Sequence, residues 1–135
     1  MTAEAGACVG LVLVSHSTRI AEGTAELAAQ MAGPEVRIVP AGGLEDGTIG
    51  TDAARIVAAI EAADAGAGVV VLVDLGSAVL SAATAFEMLG DPETIRLSKG
   101  PFVEGAVIAA VQASTGSSLA EVLEAAESAA SLPKG

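Results

Sequence analysis

The chain holds one histidine, His16, set between Ser15 and Ser17 directly after the apolar run Cys8 to Val14. A free imidazole has a pKa near about 6.5, so much of it is neutral and nucleophilic at neutral pH. A carboxylate on one ring nitrogen fixes the tautomer and leaves the other nitrogen free to attack. Asp74 is the candidate for that carboxylate, being the one charged residue between Ala65 and Phe86 and following the run Val69 to Val73. Its other reading is an N-cap for a helix beginning near Ser77, a role compatible with orienting His16. Arg19 stands one turn beyond His16, and the N–H groups of a helix opening there favour an anion. Ser77, in D-L-G-S-A, suits capping or phosphate binding.

His16 and Asp74 cooperate only if the fold brings two strand ends together. Cys8 to Val14 is too densely apolar for simple alternation, which predicts a central strand buried on both faces. Ile20, Thr24, Leu27, Ala28 and Met31 recur at helical spacing, and Gly33-Pro34 stops that helix. Strands are predicted at Val36 to Pro40, Val69 to Val73 and, as a weaker edge, Thr94 to Leu97. Further helices are predicted from a Thr51 or Asp52 cap to Ala63, from Ser77 to Leu89, at Val103 to Ala113 and at Leu119 to Ala130, before a frayed SLPKG tail. This alternation predicts an α/β fold: an open, mainly parallel four-stranded sheet, order 2-1-3-4, with helices on both faces. Ligands bind such sheets beyond the carboxyl ends of the strands, where strand order reverses. His16 and Asp74 end the first and third strands, which are neighbours in that order.

Composition narrows the partners. At 135 residues the chain is expected to form one domain spanning 1–135, with a core over about 8–126. Hydrophobic residues make up 52% and charged residues 17%, which argues against intrinsic disorder. Phe86 and Phe102 are the only aromatic residues, so stacking on single-stranded nucleic acid lacks the means. The formal net charge of -11 repels phosphate backbones and anionic lipid, and favours a partner with a basic rim. Neither nucleic acid nor membrane is therefore expected as a partner. The single Cys8 forms no internal disulfide and reads as a small buried residue, with a reducing cytoplasm as the simplest compartment. The start MTAEAGACVG lacks the basic region of an export signal. Ala65 to Phe86 reaches the roughly 20 residues of a membrane span, but Asp74, Gly76 and Ser77 interrupt it and it reads as strand and helix.

Other chemistries fit the residues less well. No G-x-x-x-x-G-K-[ST] is present, and Gly42, Gly43, Gly47 and Gly50 do not form G-x-G-x-x-G. That Gly-rich stretch reads as a turn near the site. A phosphorylated-aspartate receiver needs acidic residues where Ser15 and His16 stand, and no serine lies in G-x-S-x-G. No Cys/His cluster has zinc spacing, so no metal is expected.

Four segments together resemble a known family: V-S-H-S-T-R-I-A-E-G (Val14 to Gly23), I-G-T-D-A (Ile49 to Ala53), D-L-G-S-A-V-L-S-A (Asp74 to Ala82) and P-F-V-E-G (Pro101 to Gly105). They are similar to the DhaM phosphotransferase subunits of phosphoenolpyruvate-dependent dihydroxyacetone kinases, whose first domain resembles mannose-class enzyme IIA domains. The resemblance runs from about Cys8 to Ala126. It implies a phosphohistidine at His16, loaded by the phosphocarrier protein HPr and discharged to ADP on the kinase subunit DhaL, with the ATP formed serving the substrate subunit DhaK. It implies that Asp74 orients His16 and that Ser17, Thr51 and Ser77 contact phosphate. No cofactor is then expected on this chain, since ADP, ATP and Mg belong to the partner kinase subunit. Many members carry HPr-like and enzyme I-like domains after the first, and a chain ending at Gly135 implies a separate HPr as donor. Similar enzyme IIA domains dimerise, and the Ala-rich C-terminal helices leave apolar faces, so a homodimer is expected.

Two alternatives share the His16 motif. The sugar-transport branch of mannose-class IIA domains tends to place glycines around its histidine, where this chain has Ser15 and Ser17. V-S-H-S-T-R is also similar to the start of small chelatases, which use the histidine as a metal ligand and supply a second histidine that this chain lacks.

Overall fold

The computed structural model describes residues 7–135; the first six residues, part of the segment read for an export signal, lie outside the described residues. Strands β1 (Gly10–Ser15), β2 (Ile38–Gly42), β3 (Val69–Val73) and β4 (Ile95–Leu97) form a parallel sheet in the order β2-β1-β3-β4. The described residues also form helices α1 (Thr18–Ala32), α2 (Ala53–Ala63), α3 (Ala78–Met88), α4 (Phe102–Ser114) and α5 (Leu119–Ser128), with a 3-10 turn at Ala129–Ser131. This is the predicted α/β architecture and strand order.

The dense apolar sequence of β1 follows from its central position. Leu11 and Leu13 join Val70 and Leu72 on one face, against alanines of α1, α4 and α5. Val12, Val14 and Val71 fill the other, against Ile56 and Ile60 of α2 and Ala78 and Ala85 of α3. With helices on both faces, no position along β1 is left for a solvated side chain. The span Ala65 to Phe86 divides into β3 and α3 as predicted, and no helix among the described residues is long and apolar enough to cross a membrane.

Two details differ from the sequence expectation. On α1, Thr24 and Ala28 are buried together with Ala21 and Ala25, whereas Ile20, Leu27 and Met31 are 50%, 46% and 60% exposed. Small residues let this helix approach its neighbours closely, so the larger side chains at similar spacing turn outward. Thr24 accommodates burial by donating its hydroxyl to Ile20 O at 2.7 Å. The second strand runs through Pro40 to Gly42 instead of ending at the proline. Arg37 O accepts from Leu11 N, and Gly43 N donates to Ser15 O. Pro40 has the opposite parity, so its missing N–H falls on the open edge of β2 and costs the ladder nothing.

Gly42, at the end of β2, sets how closely α1 can begin beside it. A methyl group there would lie 2.6 Å from Ser17 O, 2.7 Å from Ala21 Cβ and 2.9 Å from Thr18 Cα. These are backbone or short side-chain atoms that cannot rotate away. Gly42→Ala is expected to destabilise the chain by about 1–3 kcal/mol and to shift the amide resonances of residues 15–18. A denaturant melt matching wild type, with unchanged resonances, would contradict that account.

Candidate active site

Parallel pairing of β1 with β3 places Val14 beside Val73. Asp74 N donates to Val14 O at 3.0 Å, extending the ladder one residue past the strand. The next residues, Ser15-His16 on one side and Asp74 on the other, therefore emerge side by side at the carboxyl edge. α1 and α2 lie on opposite faces of the sheet, so this edge is also where the connections diverge and leave a crevice.

His16 and Asp74 meet there. Nδ1 of His16 lies 3.0 Å from Asp74 Oδ1 and 3.3 Å from Oδ2. Oδ1 also accepts from Leu75 N at 2.8 Å, while Oδ2 accepts from His16 N and from the Ser15 hydroxyl, both at 3.0 Å. Burial pushes the Asp74 carboxyl upward and is the largest single influence on it. The hydrogen bonds from the His16 backbone, the His16 ring and Ser15, together with the histidine's charge when protonated, outweigh it and hold the carboxyl below its ordinary value. An ionised carboxylate only accepts, so the ring proton sits on Nδ1 and the lone pair on Nε2. Ser77 Oγ lies 3.0 Å from that Nε2 and is its hydrogen-bond donor. On the other side of the ring's own backbone, Gly50 N donates to His16 O at 2.9 Å, which puts the Gly-rich turn beside the site as predicted.

The predicted residues thus divide. His16, Asp74 and Ser77 are hydrogen-bonded to one another, while the Ser17 and Thr51 hydroxyls make their hydrogen bonds to other residues. Ser17 is the N-cap of α1, its Oγ accepting from Ile20 N at 3.3 Å. Thr51 Oγ1 pairs with Ser81 Oγ at 2.6 Å, joining the start of α2 to α3. The α1 terminus is also less open to an anion than expected, because Ser17 N donates to Ser15 Oγ. Asp74 does not cap α3: Ser77 occupies that position without a side-chain cap, and Asp74 turns to His16. The sequence places Ser15 beside His16 without pointing to Asp74 as the partner of its hydroxyl. The signal lay in its parity with Leu11 and Leu13, which directs a polar side chain into a buried face, where it must find a partner.

Four exposed aliphatic side chains stand close in sequence to the site residues. Ile20, Ile49, Leu75 and Leu80 are 50%, 72%, 59% and 76% exposed. Each stands within four residues along the chain of His16, Gly50, Asp74 or Ser77. Exposed aliphatic side chains thus flank the site residues in sequence even though the chain carries a large negative charge.

Residues 10–123 match the EIIA-man family, described as PTS system fructose IIA component. A phosphoryl donor subunit DhaM of a phosphoenolpyruvate-dependent dihydroxyacetone kinase from Listeria innocua is 39% identical, with 86% of this chain matching 94% of that protein. The chain belongs to the DhaM branch of the EIIA-man family. The DhaM subunit of Escherichia coli is 44% identical over 85% of the chain, and that of Providencia stuartii 42% over 90%. The chain spans about a quarter of the length of these two relatives, at 25% and 26%. Among solved structures, a protein of unknown function called EF1359 superposes with a TM-score of 0.79 at 37% identity, covering 90% of this chain and 95% of its own. A sigma-54 interaction domain protein from Enterococcus faecalis shares the fold, with a TM-score of 0.65 at 17% identity over 90% of this chain and 89% of its own.

The depressed Asp74 value has a consequence for stability. A carboxyl whose native pKa is lowered contributes stability that is present above its unfolded value and lost as pH falls through the native one. Wild type is therefore expected to exceed Asp74→Asn in stability at neutral pH, the gap closing only below the ordinary carboxylate range. Urea melts of both proteins from pH 7 down to pH 2 check this. A gap independent of pH would contradict the assignment.

Proposed function

We propose that the chain is a histidine phosphocarrier of a dihydroxyacetone kinase system, taking a phosphoryl group from HPr on His16 Nε2 and passing it to ADP on the DhaL subunit. The observation that carries this reading is the Asp74 carboxylate on Nδ1, which leaves Nε2 as the nucleophilic nitrogen. In loading, the bond between phosphorus and the donor nitrogen breaks as the bond to Nε2 forms. The ring becomes a cation whose Nδ1–H stays on Asp74, so positive charge develops against a fixed negative one. In discharge, the bond to Nε2 breaks as a terminal oxygen of ADP bonds phosphorus, and the ring returns to neutral. Ser77 turns its hydroxyl from Nε2 to a phosphoryl oxygen. Ser17, whose Oγ accepts from the Ile20 amide and keeps its own proton to donate, and Thr51, paired with Ser81, are the further candidates for phosphate contact.

Transfer of this kind depends on positioning and charge more than on new covalent chemistry. The exposed aliphatic side chains close in sequence to the site residues, Ile20, Ile49, Leu75 and Leu80, favour protein partners over a small free substrate. The acidic surface steers a basic-rimmed donor. On this reading the chain binds no cofactor of its own, ADP, ATP and Mg being held by the kinase subunit, and ATP formed there phosphorylates dihydroxyacetone on DhaK. We place this relay in the cytoplasm. The chelatase alternative has little to build on, since no three His, Cys, Asp or Glu side chains among the described residues gather where they can hold a metal.

Incubation with phosphoenolpyruvate, enzyme I and HPr is expected to add one phosphoryl group by intact mass, stable to alkali and labile to acid. His16→Ala should abolish it. Asp74→Asn should keep the fold and slow transfer by about 100-fold or more. Its amide nitrogen would face Nδ1 and leave the ring proton on Nε2. The loaded chain should discharge to the ADP-loaded kinase subunit and, with the substrate subunit added, yield dihydroxyacetone phosphate. Discharge to a mannose-type IIB domain alone would move the chain to the sugar-transport branch. A homodimer belongs to the same proposal, and sedimentation at micromolar concentration showing only monomer would remove it.

A further inference from the structure

Ser15 closes β1 and is fully buried. Its backbone is fixed in the sheet, registered with Gly42 of β2, and its carbonyl accepts from Gly43 N at 3.1 Å. Its hydroxyl has two partners with determined roles. Ser17 N can only donate, and it reaches Ser15 Oγ at 3.0 Å. The hydroxyl proton is therefore left for Asp74 Oδ2, also at 3.0 Å. The Ser17 amide, through the Ser15 hydroxyl, and the His16 ring thus donate from two sides into one carboxylate.

The terminal torsion of an aspartate is broad, so one contact does not fix which edge of its carboxylate faces a neighbour. At Asp74, one other donor is the amide of Leu75, next along the chain, and another is the amide of His16, the residue to be held. Ser15 is the side-chain donor anchored in the central strand. We propose that Ser15 is a positioning residue for His16, its hydroxyl locking the Asp74 carboxylate in the rotation that keeps the ring proton on Nδ1. This rests on the phosphocarrier reading for its consequence in transfer, but its effect on the ring is independent of any partner.

His16 is the only histidine, so labelled imidazole 15N spectra report one ring. In wild type the unphosphorylated ring should show a single Nδ1–H tautomer at alkaline pH. Ser15→Ala should give a mixture of tautomers and slow phosphoryl uptake by about 10-fold at unchanged KM for HPr. Ser15→Thr, which restores the hydroxyl, should recover both. Ser15→Cys keeps the size and weakens both hydrogen bonds, and it supplies the same comparison should the alanine variant melt below the assay temperature. A substituted chain without the hydroxyl that retains the single wild-type tautomer overturns the assignment, as does a mixed tautomer with uptake at the wild-type rate. Failure of wild type to take up any phosphoryl group would contradict the phosphocarrier reading instead, leaving the tautomer comparison to decide the role of Ser15.

Discussion

The site depends on one carboxylate whose hydrogen-bonding capacity is filled from several directions. Asp74 receives Leu75 N and the His16 ring on one oxygen, and Ser15 Oγ and His16 N on the other. Such an anion cannot lend a proton to the ring, so it dictates which imidazole nitrogen is basic. The price is a partly buried charge, which only these donors make tolerable. The donors arrive together because β1 and β3 are neighbours in parallel register, ending one residue apart from each other's functional groups. Moving either strand by one residue would turn the facing side chains to opposite sides of the sheet.

The same constraint explains the unusual core. Alanines on α1, α4 and α5 meet Leu11, Leu13, Val70 and Leu72, with Phe102 packed against the same cluster. Gly42 lets the first turn of α1 start against β2 immediately after His16. Close packing fixes the turn that carries the ring, while Ile20, Leu27 and Met31 are turned outward. Part of the apolar content that the composition assigned to the interior is thus exposed along α1.

Strand order, the pairing of His16 with Asp74 and the nearness of Ser77 were legible because each follows from position at a strand end. The helix face of α1 was not. Periodicity weighs Ile20 and Leu27 above Ala21 and Ala25, although the space between α1 and its neighbours admits only the smaller set. Ser17 and Thr51 were assigned through their motifs, which indicate proximity but not what a hydroxyl bonds. Ser17 Oγ accepts a local cap bond and keeps its own proton to donate, while Thr51 pairs with Ser81, a partner 30 residues away. Pro40 read as a strand end because sequence alone does not reveal that β2 is an edge whose N–H at that parity faces outward.

The central claim is that Asp74 reserves Nδ1 and leaves Nε2 to carry the phosphoryl group. Nitrogen-phosphorus coupling in the phosphorylated, 15N-histidine-labelled chain tests it most directly. The account predicts coupling of 31P to Nε2 of His16, with Nδ1 protonated. Phosphorus bonded to Nδ1, or carried by a residue other than His16, would contradict it.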